Sequence, residues 1–177
     1  MEKFTYQVPE KVNISTIIPI INEQGEAVFE IRKQQHKFLA RIVHDSLRGG
    51  IPYSYKIANA YGKPLYTIDC AFPGIRYKLT GHLCSQTVPI ASHRVQLIEK
   101  AYRFRLNNQE YCFEKDYTGA GYLKCDNKQV ATVSMPIKTN ISLFKKMELD
   151  TIIIKSTTQE VAALAAVLFH TFYYYGA

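Results

Sequence analysis

The side chains best placed to do chemistry are two basic pairs spaced for one face of a strand. In Ile75-Arg76-Tyr77-Lys78-Leu79 and in Tyr102-Arg103-Phe104-Arg105-Leu106, cations alternate with apolar residues. Successive side chains of a strand point to opposite faces, so Arg76 and Lys78 share one face, as do Arg103 and Arg105. Two cations about 7 Å apart on a strand suit the grip of one phosphate-bearing group. A solvated strand face produces the same pattern, so the pairs are candidates for anion binding. A third set is helical in spacing. Lys37, Arg41, His44 and Arg48 fall within roughly 60° of one another on a helical wheel, opposite Phe38, Leu39, Ile42, Val43 and Leu47. Gly49-Gly50 marks its stop. Such a helix can rest on an anionic bilayer, or its apolar face can cover the end of a core.

Other reactive constellations fail on geometry. His44-Asp45-Ser46 has the residue types of a triad, but three adjacent residues cannot converge on one another. His36, His82, His93 and His170 show no ligand spacing, and Cys70, Cys84, Cys112 and Cys125 form no C-x-x-C pair. Cys70, Cys112 and Cys125 lie in strand-like runs, where a free cysteine is expected to act as a small core residue. Gly119-Ala120-Gly121 lacks the third glycine and the helix of a nucleotide loop, so a hairpin turn is expected there. No carboxylate pair stands out. The expectation is a non-enzymatic protein without catalytic residue, metal or cofactor.

The elements that would carry the basic pairs are mostly strands. The chain has 177 residues, 47% of them apolar and 21% charged, enough for one domain over residues 1–177 with a substantial core. Thirteen Tyr and nine Phe, with many Ile, Val and Thr, favour strands. Short apolar runs flank turns at Asn22-Glu23-Gln24-Gly25, Ala60-Tyr61-Gly62-Lys63, Asn107-Asn108-Gln109 and Asp126-Asn127-Lys128. Each turn holds a Gly or Asn suited to positive φ, the mark of tight antiparallel hairpins. The net charge of +7 favours anionic partners, but the basic residues are scattered, which argues against nucleic acid. Met1-Glu2-Lys3-Phe4 begins no apolar leader, so a cytoplasmic location is expected.

The last segment breaks the strand rhythm. Thr157-Thr158-Gln159-Glu160 reads as a capping box, with Thr157 as the cap and Glu160 reaching back. Behind it, Val161 to Tyr175 is rich in Ala and Leu and apolar all around the wheel. A helix with no polar face must be surrounded by protein or by lipid. Fifteen residues span roughly 22 Å, short of the ~30 Å hydrocarbon core. A helix buried in the fold is therefore expected, with His170 neutral and hydrogen-bonded inside it.

A run of hairpins ending in a capped, all-apolar C-terminal helix resembles the tubby-like superfamily, which takes in tubby C-terminal domains, phospholipid scramblases and LURP-one-related proteins. The likeness is carried by Tyr55-Lys56-Ile57-Ala58-Asn59-Ala60-Tyr61-Gly62-Lys63-Pro64-Leu65-Tyr66-Thr67-Ile68, similar to the hairpin these proteins repeat. It is carried also by Asp150-Thr151-Ile152-Ile153-Ile154, similar to their last strand. The resemblance implies a mostly β fold: a closed antiparallel β-barrel of about twelve strands around the buried C-terminal helix. It implies no shared enzymatic reaction, and tubby domains bind phosphoinositides. Asp150 is followed by Thr, Ile, Ile, Ile and Lys, which is no acidic calcium loop, so a scramblase-like calcium site is not expected.

Together these readings predict a domain, peripheral at the membrane, that binds anionic phospholipid head groups or another acidic partner through Arg76, Lys78, Arg103, Arg105, Lys37, Arg41 and Arg48. Two rivals differ in class. One is a structural or interaction domain with a protein partner. The other is a tail-anchored membrane protein that uses Val161 to Tyr175 as its anchor.

Overall fold

The computed structural model describes residues 1–9, 12–34, 53–71, 76–94, 100–135 and 150–174. Twelve antiparallel strands form one closed barrel in which each strand pairs with its neighbours in sequence and β1 closes against β12. The strands are β1 (Glu2–Val8), β2 (Ile17–Ile21), β3 (Ala27–Gln34), β4 (Ser54–Asn59), β5 (Pro64–Ala71) and β6 (Arg76–Gly81), then β7 (Gln86–Arg94), β8 (Lys100–Leu106), β9 (Gln109–Lys115), β10 (Gly121–Cys125), β11 (Lys128–Ser134) and β12 (Asp150–Ser156). A closed barrel leaves no unpaired edge, and its strands alternate lumen-facing with outward residues.

Three turns share one construction. Asn22, Asn59 and Asp116 each accept two backbone N–H groups on the side-chain Oδ1, at 2.9 to 3.1 Å, from residues two and four further on. In each, the residue three further on is a glycine at positive φ: Gly25, Gly62 and Gly119. The side-chain oxygen imitates a backbone carbonyl, and glycine supplies the left-handed step that closes the loop. Gly119 thus belongs to a hairpin turn, as its sequence suggests. The β8–β9 and β10–β11 turns instead use the paired positive φ of Asn107-Asn108 and Asp126-Asn127.

The lumen is filled by helix α1 (Gln159–Phe169), followed by a π-helical turn over His170–Tyr174. Every residue from Ala162 to Phe169 is buried. Alanine at 162, 163, 165 and 166 keeps the helix narrow enough for the strands to close around it, while Leu164, Val167, Leu168 and Phe169 fill the remaining space. Gly121 on β10 marks the tightest approach: a Cβ there would lie 2.9 Å from Phe113 Cζ and 3.0 Å from Phe169 Cδ2. Around the helix exit, Phe172 stacks on Tyr102 at 3.8 Å and meets the edge of Tyr77 at 4.7 Å. Burial pushes the Tyr77 hydroxyl up to about 12, so this collar stays neutral.

His170 is fully buried, with its ring edge-on to Tyr55 at 4.7 Å. Burial holds its pKa down to about 3, so the imidazole is neutral, as its place in an apolar run implies. With the helix enclosed on all sides, no face of α1 is left for lipid, and no helix among the described residues is long and apolar enough to cross a membrane.

Some expectations need correction. The N-cap is Thr158, whose Oγ1 accepts the Val161 N–H at 3.3 Å, and not Thr157. The Thr157 N–H still donates to the Val130 carbonyl at 3.0 Å, so the chain leaves the barrel wall one residue later than the capping-box pattern implies. With Thr158 as cap, Val161 takes the place a box needs for Glu or Gln, and no box forms. The cysteines are free and lie in or beside strands, but all are only half-buried. Cys112 lies between the inward residues Tyr111 and Phe113 and so faces out, because alternation rather than apolarity decides the face of a strand residue. The helical stripe of Lys37, Arg41, His44 and Arg48 lies outside the described residues.

Candidate anion-binding face

Alternation sets the direction of both basic pairs. On β6, Leu79 is buried and Tyr77 packs against the helix exit, so Arg76 and Lys78 point outward and are exposed. On β8, Tyr102, Phe104 and Leu106 line the lumen, and Arg103 and Arg105 are exposed on the outer wall. The period-two pattern of the sequence is therefore borne out as geometry.

The two pairs are brought together by β7, which lies between β6 and β8. Lys78 is the partner of Pro89, and Arg103 is the partner of Ala91. Pro89 and Ala91 are the outward, exposed residues of β7 at this level, with Val88 and Ile90 turned inward. The four cations thus flank a short, smooth floor without charge. The pairs stand about 10 Å apart across two strand spacings, with about 7 Å between the members of each pair. Such a square of cations presents an open positive face on the outer wall.

Pro89 also shapes the wall. The described pairing of β7 with β8 begins at Ala91, just past Pro89, whose nitrogen has no hydrogen to donate. The pairing of β1 with β2 likewise stops at Ile20, next to Pro19.

Carboxylates border the basic face on both sides. Asp69 on β5 is the cross-strand partner of Lys78, and Glu110 on β9 is the partner of Arg105. Glu110 Oε1 also lies 3.9 Å from Arg103 Nη1, with both side chains more than half exposed. An exposed pair at that distance is worth at most about 1 kcal/mol and leaves the arginine free to exchange partners. Asp69 and Glu110 thus flank the four cations of β6–β8.

Sequence reasoning finds the four cations but not Pro89, Ala91, Asp69 or Glu110. The run Thr87-Val88-Pro89-Ile90-Ala91 alternates correctly for a strand, and that was the available signal. Its register against β6 and β8 arises only on folding.

The described chain is a twelve-stranded antiparallel barrel closed around its own C-terminal helix, and the candidate basic face lies on its outer wall. The family model described as "Tubby C-terminal like domain" matches residues 4–175, and the chain belongs to that family. No curated protein and no solved structure matches the chain.

Proposed function

We propose that this chain is a non-enzymatic, cytoplasmic tubby-like domain that binds anionic phospholipid head groups, peripherally at a membrane, through the outer face of β6–β8. One observation carries the reading: β7 places Arg76 and Lys78 beside Arg103 and Arg105 across the uncharged floor of Pro89 and Ala91. Each basic residue near an anionic leaflet contributes about 1 kcal/mol. Four together shift partitioning by on the order of a thousandfold, less what Asp69 and Glu110 offset. Lys37, Arg41 and Arg48 would add to this attraction. Membership of the tubby-like family agrees with head-group binding, and the free cysteines fit a reducing compartment.

Co-sedimentation with vesicles at physiological salt tests the reading. Retention by vesicles containing phosphoinositide or phosphatidylserine, but not by pure phosphatidylcholine, is expected. Equal retention by neutral and anionic vesicles, or none by either, rules it out.

A protein-interaction reading draws on β2, which turns Ile17, Pro19 and Ile21 outward and exposed beside Ile14. Apolar rows on an outer wall often mark contact surfaces. A mass that rises with concentration in light scattering, together with no vesicle binding, would favour that alternative.

A further inference from the structure

An open groove of about 420 Å³ runs along the outer wall beside β8, lined by Arg103, Phe104, Arg105, Asn108, Glu110 and Asp126. It continues as a smaller hollow toward Lys124 and Glu114, which pair with each other. The first groove is bipolar: arginines on the β8 side, carboxylates on the side of β9 and the β10–β11 turn. Arg105 and Glu110 are directly opposite residues of neighbouring strands, so their Cβ atoms stand about 5 Å apart with side chains of opposite charge. Glu110 also meets Arg103, but at 3.9 Å and with both side chains exposed, a contact loose enough to exchange for a ligand. Asp126 uses one oxygen to accept the Glu110 backbone N–H at 3.0 Å, while its other oxygen is 3.9 Å from the Cys125 sulfur. Glu110, with its side chain about two-thirds exposed, is a carboxylate that a ligand cation can reach.

We propose that this groove selects an amino-phosphate ligand, one that carries a primary ammonium group close to its phosphate. The phosphate takes Arg103 and Arg105, and the ammonium takes Glu110, with Asp126 adding negative potential. The inference rests on the head-group reading above and sharpens it. Among anionic head groups of equal charge, those with an ammonium group bind better. A purely anionic head group leaves Glu110 facing a like charge, which weakens it further.

The test compares phosphatidylcholine vesicles doped with phosphatidylserine against the same vesicles doped to equal charge with phosphatidylglycerol, which lacks the ammonium group. The wild-type chain is expected to prefer phosphatidylserine about fivefold, the effect of one exposed ion pair. Glu110→Gln raises the positive charge for both vesicles, so the ratio is the readout, and it is expected to fall to about one. Competition by free O-phosphoserine marks the soluble amino-phosphate as a sufficient ligand. Preference without such competition marks the bilayer-borne head group as the source. Equal wild-type binding to both vesicles overturns the inference and leaves the basic face standing. A preference that survives Glu110→Gln overturns it as well. Binding to neither vesicle removes the head-group reading itself.

Discussion

Along β8, Tyr102, Phe104 and Leu106 point into the lumen while Arg103 and Arg105 point out, so one strand contributes to both the core and the candidate site. The two sides obey different physics. Inside, side chains are fixed by close packing, Tyr102 on Phe172 and Phe104 on Tyr111, and space is short enough that Gly121 has no room for a methyl group. Outside, what matters is the sign and spacing of charge, and solvent takes up differences in shape. The lumen should therefore respond to substitution through stability, and the outer wall through binding.

The sharpest way to break this contrast is Leu164→Asp. It puts a charge at a buried position within the apolar core, at a cost expected to exceed about 5 kcal/mol, comparable to the whole stability of a typical domain. Circular dichroism should show the loss of the cooperative melt. A soluble, cooperatively folded variant would mean that α1 is not the core. Gly121→Ala is a milder probe of the same packing. Its Cβ would press on Phe113 and Phe169, and the urea midpoint should fall by the equivalent of about 1–3 kcal/mol.

His170 sharpens the contrast through pH. Its folded pKa is about 3, against 6.5 for an unperturbed imidazole. Between these values the unfolded chain binds a proton that the folded chain refuses. Stability is therefore full above pH 6.5 and falls as pH drops toward 3, by up to about 1.4 kcal/mol per pH unit. Asp116, whose carboxyl is held low first by the Thr118 hydroxyl, adds a slope of the same sign, but only near and below its ordinary range. His170→Leu should flatten urea midpoints measured between pH 6 and about 4.5, where the imidazole contributes and that carboxylate does not. An unchanged slope would place the imidazole in contact with water.

The lumen was the more legible side in the sequence. An all-apolar helix demands enclosure, and the hairpins ahead of it supply the wall; Asn and Gly at the turns show where the wall folds back. Closed-barrel architecture followed from the resemblance and is what the chain adopts. The helix start was displaced by one residue because Thr157 and Thr158 are alike, and only a bond from Thr157 to the neighbouring β11 separates them. The β6–β7 turn carries its positive φ on Ser85, a residue that does not announce it.

The outer wall was legible only strand by strand. Period-two alternation shows that Arg76 shares a face with Lys78 and Arg103 with Arg105. It says nothing of which strands become neighbours or at what level they pair. The meeting of the two pairs over Pro89 and Ala91, and the flanking of both by Asp69 and Glu110, are matters of register between strands well apart in sequence.

The most direct test of the division between scaffold and site is one variant, Arg76→Gln, Lys78→Gln, Arg103→Gln and Arg105→Gln together, measured for binding to anionic vesicles and for thermal stability. These exposed changes should each alter stability by no more than about 0.5 kcal/mol, so the cooperative melt should persist. Binding should weaken by at least about a hundredfold, somewhat less than the full electrostatic contribution of four cations. Undiminished vesicle binding by a folded variant would show that the outer face of β6–β8 is not the site.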